Sequence, residues 1–415
     1  MKKLLTVLIP LFILSSCKDD DILPTELTLL EDQINLYVSE SKNLSANYTT
    51  GSKNPKLNWS SSNPEVVAVD DNGQITGRST GDATITVNLN DKSLQCQISV
   101  LPIVYLCGSY YGEDYLWTLK GNGLSRSIIP REFGISNDLT NILVNNNNIY
   151  IVGRHNIWRN MVKGPAFSHP TNDNYGIGIR DFAVNGNDFY IVGYTNNDAI
   201  LYKNGEGRVL FENGRADDVF IDGDDVYVAG IRKINDAHNA VLWKNDVEHI
   251  IGPAANNFYV RMGVHNSSVY ITYTRPDNFS NSILLKDNIE QQIELDSDTE
   301  GVHINDMFIT TTGDIYLAGE QSKPEYKSYA TIWKNGKTIF VSEYNFTKVN
   351  SIHVSGNDVY AAGYRAMSWW HGTWGSSHNT AVYWVNGKMS YIDPFPYSED
   401  GDTSIVYGLF VYDSM

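Results

Sequence analysis

Cysteine is scarce in this chain, three residues in 415. There is no Cys-x-x-Cys pair and no His/Cys cluster, so the sequence offers no thiolate metal site. Positive charge is in deficit too. Lysine and arginine number 31 against 48 aspartates and glutamates, for a formal net charge of -17 and a pI of about 4.9. Such a surface repels DNA, RNA and anionic lipid at long range, which removes nucleic acid from the expected partners. Long apolar runs are missing apart from "LLTVLIPLFIL" near the start, which is too short to span a bilayer. Aromatic content, by contrast, is high at 12%.

Lys2 and Lys3, the apolar run and then "LSSC" read as an export signal. "LSSC" resembles the lipobox of bacterial lipoproteins, which makes residues 1–16 a signal peptide and Cys17 the lipidated first residue of the mature chain. The following "CKDDD" resembles the acidic export tag of Bacteroidetes lipoproteins displayed on the cell surface, and implies an outer-membrane protein, lipid-anchored and facing the exterior. The plainer alternative is an acidic tether, residues 17–23, facing the periplasm. Cys96 in "LQCQISV" and Cys107 in "VYLCG" fall inside strand patterns and are expected as buried free thiols.

Residues 24–101 alternate apolar and polar over short runs. "ATITV" and "CQISV" read as strands, and "DDNGQ" as a hairpin turn. The stretch "LNWSSSNPEVVAVDDNGQITGRSTGDATITV" resembles the group 2 bacterial immunoglobulin-like domain. The resemblance implies a β-sandwich with Trp59 as its core tryptophan, acting as a stalk.

Residues 102–415 repeat. The segments "VYLCG", "IYIVG", "FYIVG", "VYVAG", "VYITY", "IYLAG" and "VYAAG" place Tyr105, Tyr150, Tyr190, Tyr227, Tyr270, Tyr316 and Tyr360 at spacings of 45, 40, 37, 43, 46 and 44. A second strand such as "AVLWKND" or "ATIWKNG" follows each, and a turn-linked strand precedes most. Units of this length with about four strands are the signature of β-propeller blades. The expected fold class is all-β: an immunoglobulin-like sandwich, then a seven-bladed propeller. The first unit lacks its leading strand, and the terminal "TSIVYGLFVYDSM" is expected to supply it and close the ring. Trp-Asp, Gly-Gly and sialidase-type boxes are absent. The "VYVAG" and "LWKND" or "IWKNG" pattern resembles propeller lipoproteins of gut Bacteroidetes, which bears on fold and location rather than activity.

The repeat sorts the tryptophans. Trp117, Trp158, Trp243, Trp333 and Trp384 share one position in the third strand, filled by Tyr202 and Leu285 in the other units. A bulky residue recurring once per blade is expected to pack between blades. Trp369, Trp370 and Trp374 remain, all in "RAMSWWHGTWGSSHN" between the second and third strands of the seventh unit. Exposed tryptophan beside Asn, His and Arg suits a sugar, whose C–H face stacks on an indole. Packing over the channel and contact with a protein partner are the alternatives.

Arg232, Arg275 and Arg365 recur just after the glycine position of their units, with His155 nearby in the second unit and Tyr110 and Tyr111 in the first. If they point from equivalent places around one rim, they suit a carboxylate or sulfate. Otherwise each pairs with a carboxylate of the adjacent blade. The expected function is capture of a polysaccharide or glycan, neutral or acidic, with an outer-membrane transporter or protein as a further partner. No cofactor or metal is called for. The alternative is a glycan hydrolase or lyase on the same face, though no acidic or His residue there falls into a motif with catalytic spacing. An adhesin for a protein partner is a third reading.

Overall fold

The computed structural model describes residues 26–49, 56–110, 112–121, 123–130, 139–164, 168–170, 172–276, 281–371, 374–392 and 403–414. Within these, residues 168–169, 172–175, 368–371 and 374–377 are described by their backbone alone. The chain divides into two compact units, Met1–Val100 and Leu101–Met415.

The first unit is built of antiparallel strands. One sheet runs Gln33–Tyr37, Lys92–Leu101, Gly81–Leu89, Asn58–Ser61, and a second runs Ser41–Asn43, Gln74–Gly77, Val67–Val69. Strand Gly81–Leu89 shows why the alternation matters: Ala83, Ile85, Val87 and Leu89 are buried and the residues between them are not. The expected hairpin at Asp70–Gln74 is present. Asp70 Oδ1 accepts the N–H groups of Asn72 (2.9 Å) and Gln74 (2.8 Å), and Gly73 takes the positive φ of 81° that the turn requires. Cys96 is buried and free, as expected. Trp59 departs from its expected place. It is half-buried and lies against Gly73, where an added Cβ would stand 2.7 Å from its Cζ2. Aliphatic side chains, Ile75 and Ile85 among them, fill the centre instead.

Among its described residues the second unit holds seven four-stranded antiparallel sheets. The tyrosine segments are their second strands: Ile103–Tyr110, Asn148–Gly153, Asp188–Thr195, Asp225–Ile234, Ser268–Thr274, Ile315–Lys323 and Asp358–His371. The first strands of the second to seventh sheets are Leu139–Asn145, Gly178–Asn185, Gly214–Asp222, Arg261–His265, Gly301–Ile309 and Thr347–Ser355. In the first sheet that place is taken by the C-terminal strand Ser404–Tyr412, which pairs antiparallel with Ile103–Tyr110.

The recurring "KNG" or "KND" has a local cause. In the fourth sheet Asn245 Oδ1 accepts the N–H of Val226 at 2.9 Å, while Lys244 bonds Asp225 at 2.7 Å and lies over the Tyr227 ring. The sixth sheet repeats this with Asn335, Lys334, Asp314 and Tyr316. The turn residue therefore locks the second strand to the third.

The third-strand tryptophans are buried, as expected. Each joins an apolar cluster with the tyrosine strand of the preceding sheet: Trp243 with Tyr190, Trp333 with Tyr270, and Trp384 with Tyr316. Trp117 of the first sheet clusters in the same way with Tyr360 of the seventh. Cys107 is buried and free, and burial pushes its thiol up to about 12.

Candidate functional site

The glycine that ends each "VYVAG"-type segment controls what lines the centre of the second unit. A Cβ on Gly108, Gly193, Gly230, Gly319 or Gly363 would overlap a backbone carbonyl of the first strand, namely that of Ile405, Gly178, Arg215, His303 or Lys348. That carbonyl comes close because the first strand bulges there, between Ala216 and Asp218 for example, or between Ile304 and Asp306. The fifth sheet carries Tyr273 in place of glycine, and its first strand begins only at Arg261, opposite Thr272, so nothing in that strand faces Tyr273.

Past the bulge the first strands turn equivalent residues inward. Asn141, Asp181, Asp218, Arg261, Asp306 and Ser351 line one cavity of about 330 Å³ that all seven first strands help to form. Their side chains tie each sheet to the next. Asp181 Oδ1 accepts the Asn141 amide at 2.8 Å, and its Oδ2 the N–H of Val219 at 3.1 Å. Asp218 accepts from Met262 (2.8 Å), Asp306 from Ile352 (2.9 Å) and Ser351 from Leu409 (3.2 Å). Arg261 donates to the Asn305 carbonyl at 2.8 Å and to that of Asp217 at 3.2 Å.

Burial, with the neighbouring Asp181 charge, raises the Asp218 carboxyl well above its usual value of 3.8, and Arg261 only partly offsets this. Burial likewise raises Asp306. Burial opposes the charge on Arg261, but Asp218, Asp306, Asp181 and Asp217 outweigh it and raise its pKa. Each of these groups makes at least one hydrogen bond to the scaffold.

The other end-facing groups follow from strand direction. In a four-stranded meander the turn between the second and third strands and the connection to the next sheet lie at the same end. The three arginines expected on a rim do lie at this end, but they reach along their own sheets. Arg232 bonds both oxygens of Glu248 at 2.8 Å, Arg275 bonds Glu290 at 2.8 Å, and Arg365 donates to the Tyr391 hydroxyl at 2.9 Å and covers the Tyr344 ring. All three acceptors stand on or at the fourth strand of the same sheet, not on the adjacent one. His155 Nδ1 lies 3.0 Å from the Ile177 carbonyl. Tyr110 meets Tyr115 edge to face, with Arg126 beside both rings. Cys17 and Tyr111 fall outside the described residues.

The tryptophan segment is an extension of the ladder rather than a loop. Strands Asp358–His371 and Trp374–Val385 stay paired to the tip, with Trp369 opposite Ser376, Trp370 opposite Gly375 and His371 opposite Trp374. Their aromatic and alternating polar residues favour this extended pairing. The side chains of Trp369, Trp370 and Trp374 lie outside the described residues.

Two features of this end were not read from the sequence. The first is Tyr326. Its side chain is 98% exposed at the tip of the sixth sheet's hairpin, in a turn where Glu325 and Tyr326 both take positive φ, 64° and 58°. The matching turns of the third and fourth sheets place Asn196, Asn197, Asn235 and Asp236 at such angles, which those residues tolerate. Tyr344 and Phe346 are also exposed, in the connection to the seventh sheet. A signal was available, since "PEY" stands where a turn would favour Asn, Asp or Gly. The second feature is a pocket of about 460 Å³ at the same end of the third and fourth sheets, lined by Tyr194, Asn213, Arg180, Arg215, Lys233 and His238 among others.

Residues 25–100 match the family model of the bacterial Ig-like domain (group 2). An uncharacterized protein of Clostridium acetobutylicum is 46% identical over 46 residues, which is 11% of this chain and 12% of that protein. Solved structures similar to this chain include the β-propeller domain of the Trilobed protease from Pyrococcus furiosus, with 11% identity, 68% of this chain and 92% of that one covered, and a TM-score of 0.34. Another is the extracellular domain of a hybrid two-component system from B. thetaiotaomicron, with 9% identity, coverages of 81% and 56%, and a TM-score of 0.34. A chain of a nidogen/laminin complex has 11% identity, coverages of 75% and 99%, and a TM-score of 0.38. The described residues are all-β: the Ig-like match covers residues 25–100, and the second unit, with seven four-stranded sheets whose first strands line one cavity, has a β-propeller-like fold.

Proposed function

We propose that this protein captures a carbohydrate on the connection end of a seven-bladed propeller, as a lipoprotein anchored through Cys17 on the outer membrane and facing the exterior. Support for a closed ring comes from contacts between first strands. Thr347–Ser355 and Leu139–Asn145 both touch the C-terminal strand, and each remaining first strand touches the next in sequence order. The apolar cluster that joins Trp117 to Tyr360 bridges the first and last sheets.

The observation that carries the binding reading is Tyr326. A bulky residue at positive φ costs stability, and nothing in its own packing repays that, because the ring is in water. An aromatic face presented at such cost suits stacking on a pyranose. Tyr344, Phe346 and the tryptophan-bearing hairpin of the seventh sheet flank the same end. A hydrolase is the weaker reading. Its paired carboxylates would have to be free, whereas Asp181 and Asp218 each accept a backbone N–H of a neighbouring sheet.

The test is binding of the purified protein to neutral and acidic polysaccharides, beside Tyr326→Ala and a triple Trp369→Ala, Trp370→Ala, Trp374→Ala variant. Binding that weakens in the variants supports capture at this end. Silence across the panel, with a protein ligand bound instead, would favour an adhesin.

A further inference from the structure

The pocket at the third and fourth sheets has a composition at odds with the rest of the molecule. The chain carries a net charge of -17, yet the pocket is lined by Arg180, Arg215, Lys233 and His238 and by no aspartate or glutamate among the described residues. We propose that it is the subsite for an anionic substituent, a carboxylate or a sulfate, of the captured carbohydrate. This rests on the carbohydrate-binding reading and locates the charged part of the ligand.

The four basic groups have different duties. Arg215 is committed: it bonds Asp217 Oδ1, the carbonyl and side chain of Asn256 and the carbonyl of Phe258. It forms a fixed positive wall. Arg180 is not committed in this way. Its guanidinium lies 5.0 Å from the centre of the Tyr194 ring and 4.8 Å from that of Tyr259, and among the described residues its hydrogen bond goes to the Tyr259 hydroxyl at 2.7 Å. No carboxylate pairs with it among the described residues, and its buried Nε has no acceptor. The rings hold the fork in place without neutralising it, so an arriving anion meets a pre-oriented, unpaired donor set.

Among the described residues Lys233 is paired only with Asp236, which sits 95% exposed at the hairpin tip. Such a pair contributes little and gives way readily to a better-placed anion. His238 completes the lining, and burial together with the charges of Lys233 and Arg215 lowers its pKa. An anion would offset those two charges and favour its protonated, donating form. Asn197, Asn213 and Asn256 supply amides for sugar hydroxyls. The volume of about 460 Å³ lies within the range of small-ligand sites.

The test uses the whole protein and matched polymers: polygalacturonate against its methyl-esterified form, and dextran sulfate against dextran. At least one anionic polymer is expected to bind about tenfold more tightly than its uncharged counterpart. Which one does so separates carboxylate from sulfate. Lys233→Gln should reduce that preference, and Arg180→Gln combined with Lys233→Gln should remove it, so that the charged polymer binds no more tightly than its uncharged counterpart. Should the double variant fold poorly, the half-exposed Lys233→Gln decides alone. Equal binding of charged and uncharged polymers, or a preference that survives the substitutions, overturns the anionic subsite and leaves carbohydrate capture standing. Binding to none of the four overturns both.

Discussion

Asp181 of the third sheet accepts the backbone N–H of Val219 in the fourth at 3.1 Å. Its other oxygen holds the Asn141 amide of the second sheet at 2.8 Å. One carboxylate thus fastens three sheets. Asp181→Leu leaves a buried N–H without an acceptor and should lower stability by about 1–3 kcal/mol, with Asp181→Asn milder. Denaturant unfolding of both variants measures this. A leucine variant as stable as the parent would show that the bond is dispensable.

The raised carboxyl of Asp218 gives a pH prediction with a definite sign. Its folded pKa lies above the ordinary 3.8, so the unfolded chain ionises first as pH rises, and stability falls between the two values. Asp218→Asn keeps an oxygen for the Met262 N–H and mimics the protonated form. It should raise the melting temperature at neutral pH, with the gain vanishing below about pH 4. An equal shift at both pH values counts against the assignment.

His353 acts in the opposite sense. It lies between the rings of Phe308 and Phe410, and burial brings its pKa down to about 4 from 6.5. Above 6.5 the neutral ring is at no disadvantage. As pH falls from 6.5 to 4 the unfolded chain takes up a proton that the folded chain refuses, and roughly 3 kcal/mol is lost. Replacement by phenylalanine should flatten the stability profile across that window. Acid unfolding curves of parent and variant make the comparison.

Glycines of the second unit should divide sharply. A methyl on Gly230 meets the Arg215 carbonyl, whereas one on Gly223 meets nothing within 4 Å and suffers only from a φ of 59°. Gly223→Ala is expected to cost about 1 kcal/mol. Gly230→Ala should cost several times that or prevent folding, because the bulge must be flattened. Equal costs would show that the bulge is soft.

Tyr326→Asn separates stability from binding. It removes a bulky residue from positive φ and should stabilise the fold by a few tenths to about 1 kcal/mol. It should also weaken polysaccharide binding. A variant that gains stability and binds as before would place the ligand away from this turn.

Repetition made much of the fold legible. Period, tyrosine strands and "KNG" turns each have a local cause, so seven units and the buried third-strand tryptophans could be read directly. Trp59 misled because its burial depends on Gly73 across a turn. The rim arginines misled because spacing fixes where a residue stands on a strand but not which neighbour its long side chain reaches. The inward ring could in principle have been found, since Asp181, Asp218 and Asp306 each stand about a dozen residues before a repeated glycine.

The sequence by itself determined the all-β class, the strand order and the burial pattern, because alternation and turn chemistry act over a few residues. Tertiary structure alone decided how charge is used. Bringing distant strands together left the aspartates at the centre bonded to backbone, Arg232 and Arg275 closed on carboxylates of their own sheets, and Arg180 between two tyrosines with no carboxylate partner among the described residues. Those outcomes depend on distances between residues far apart in the chain, which no local pattern encodes.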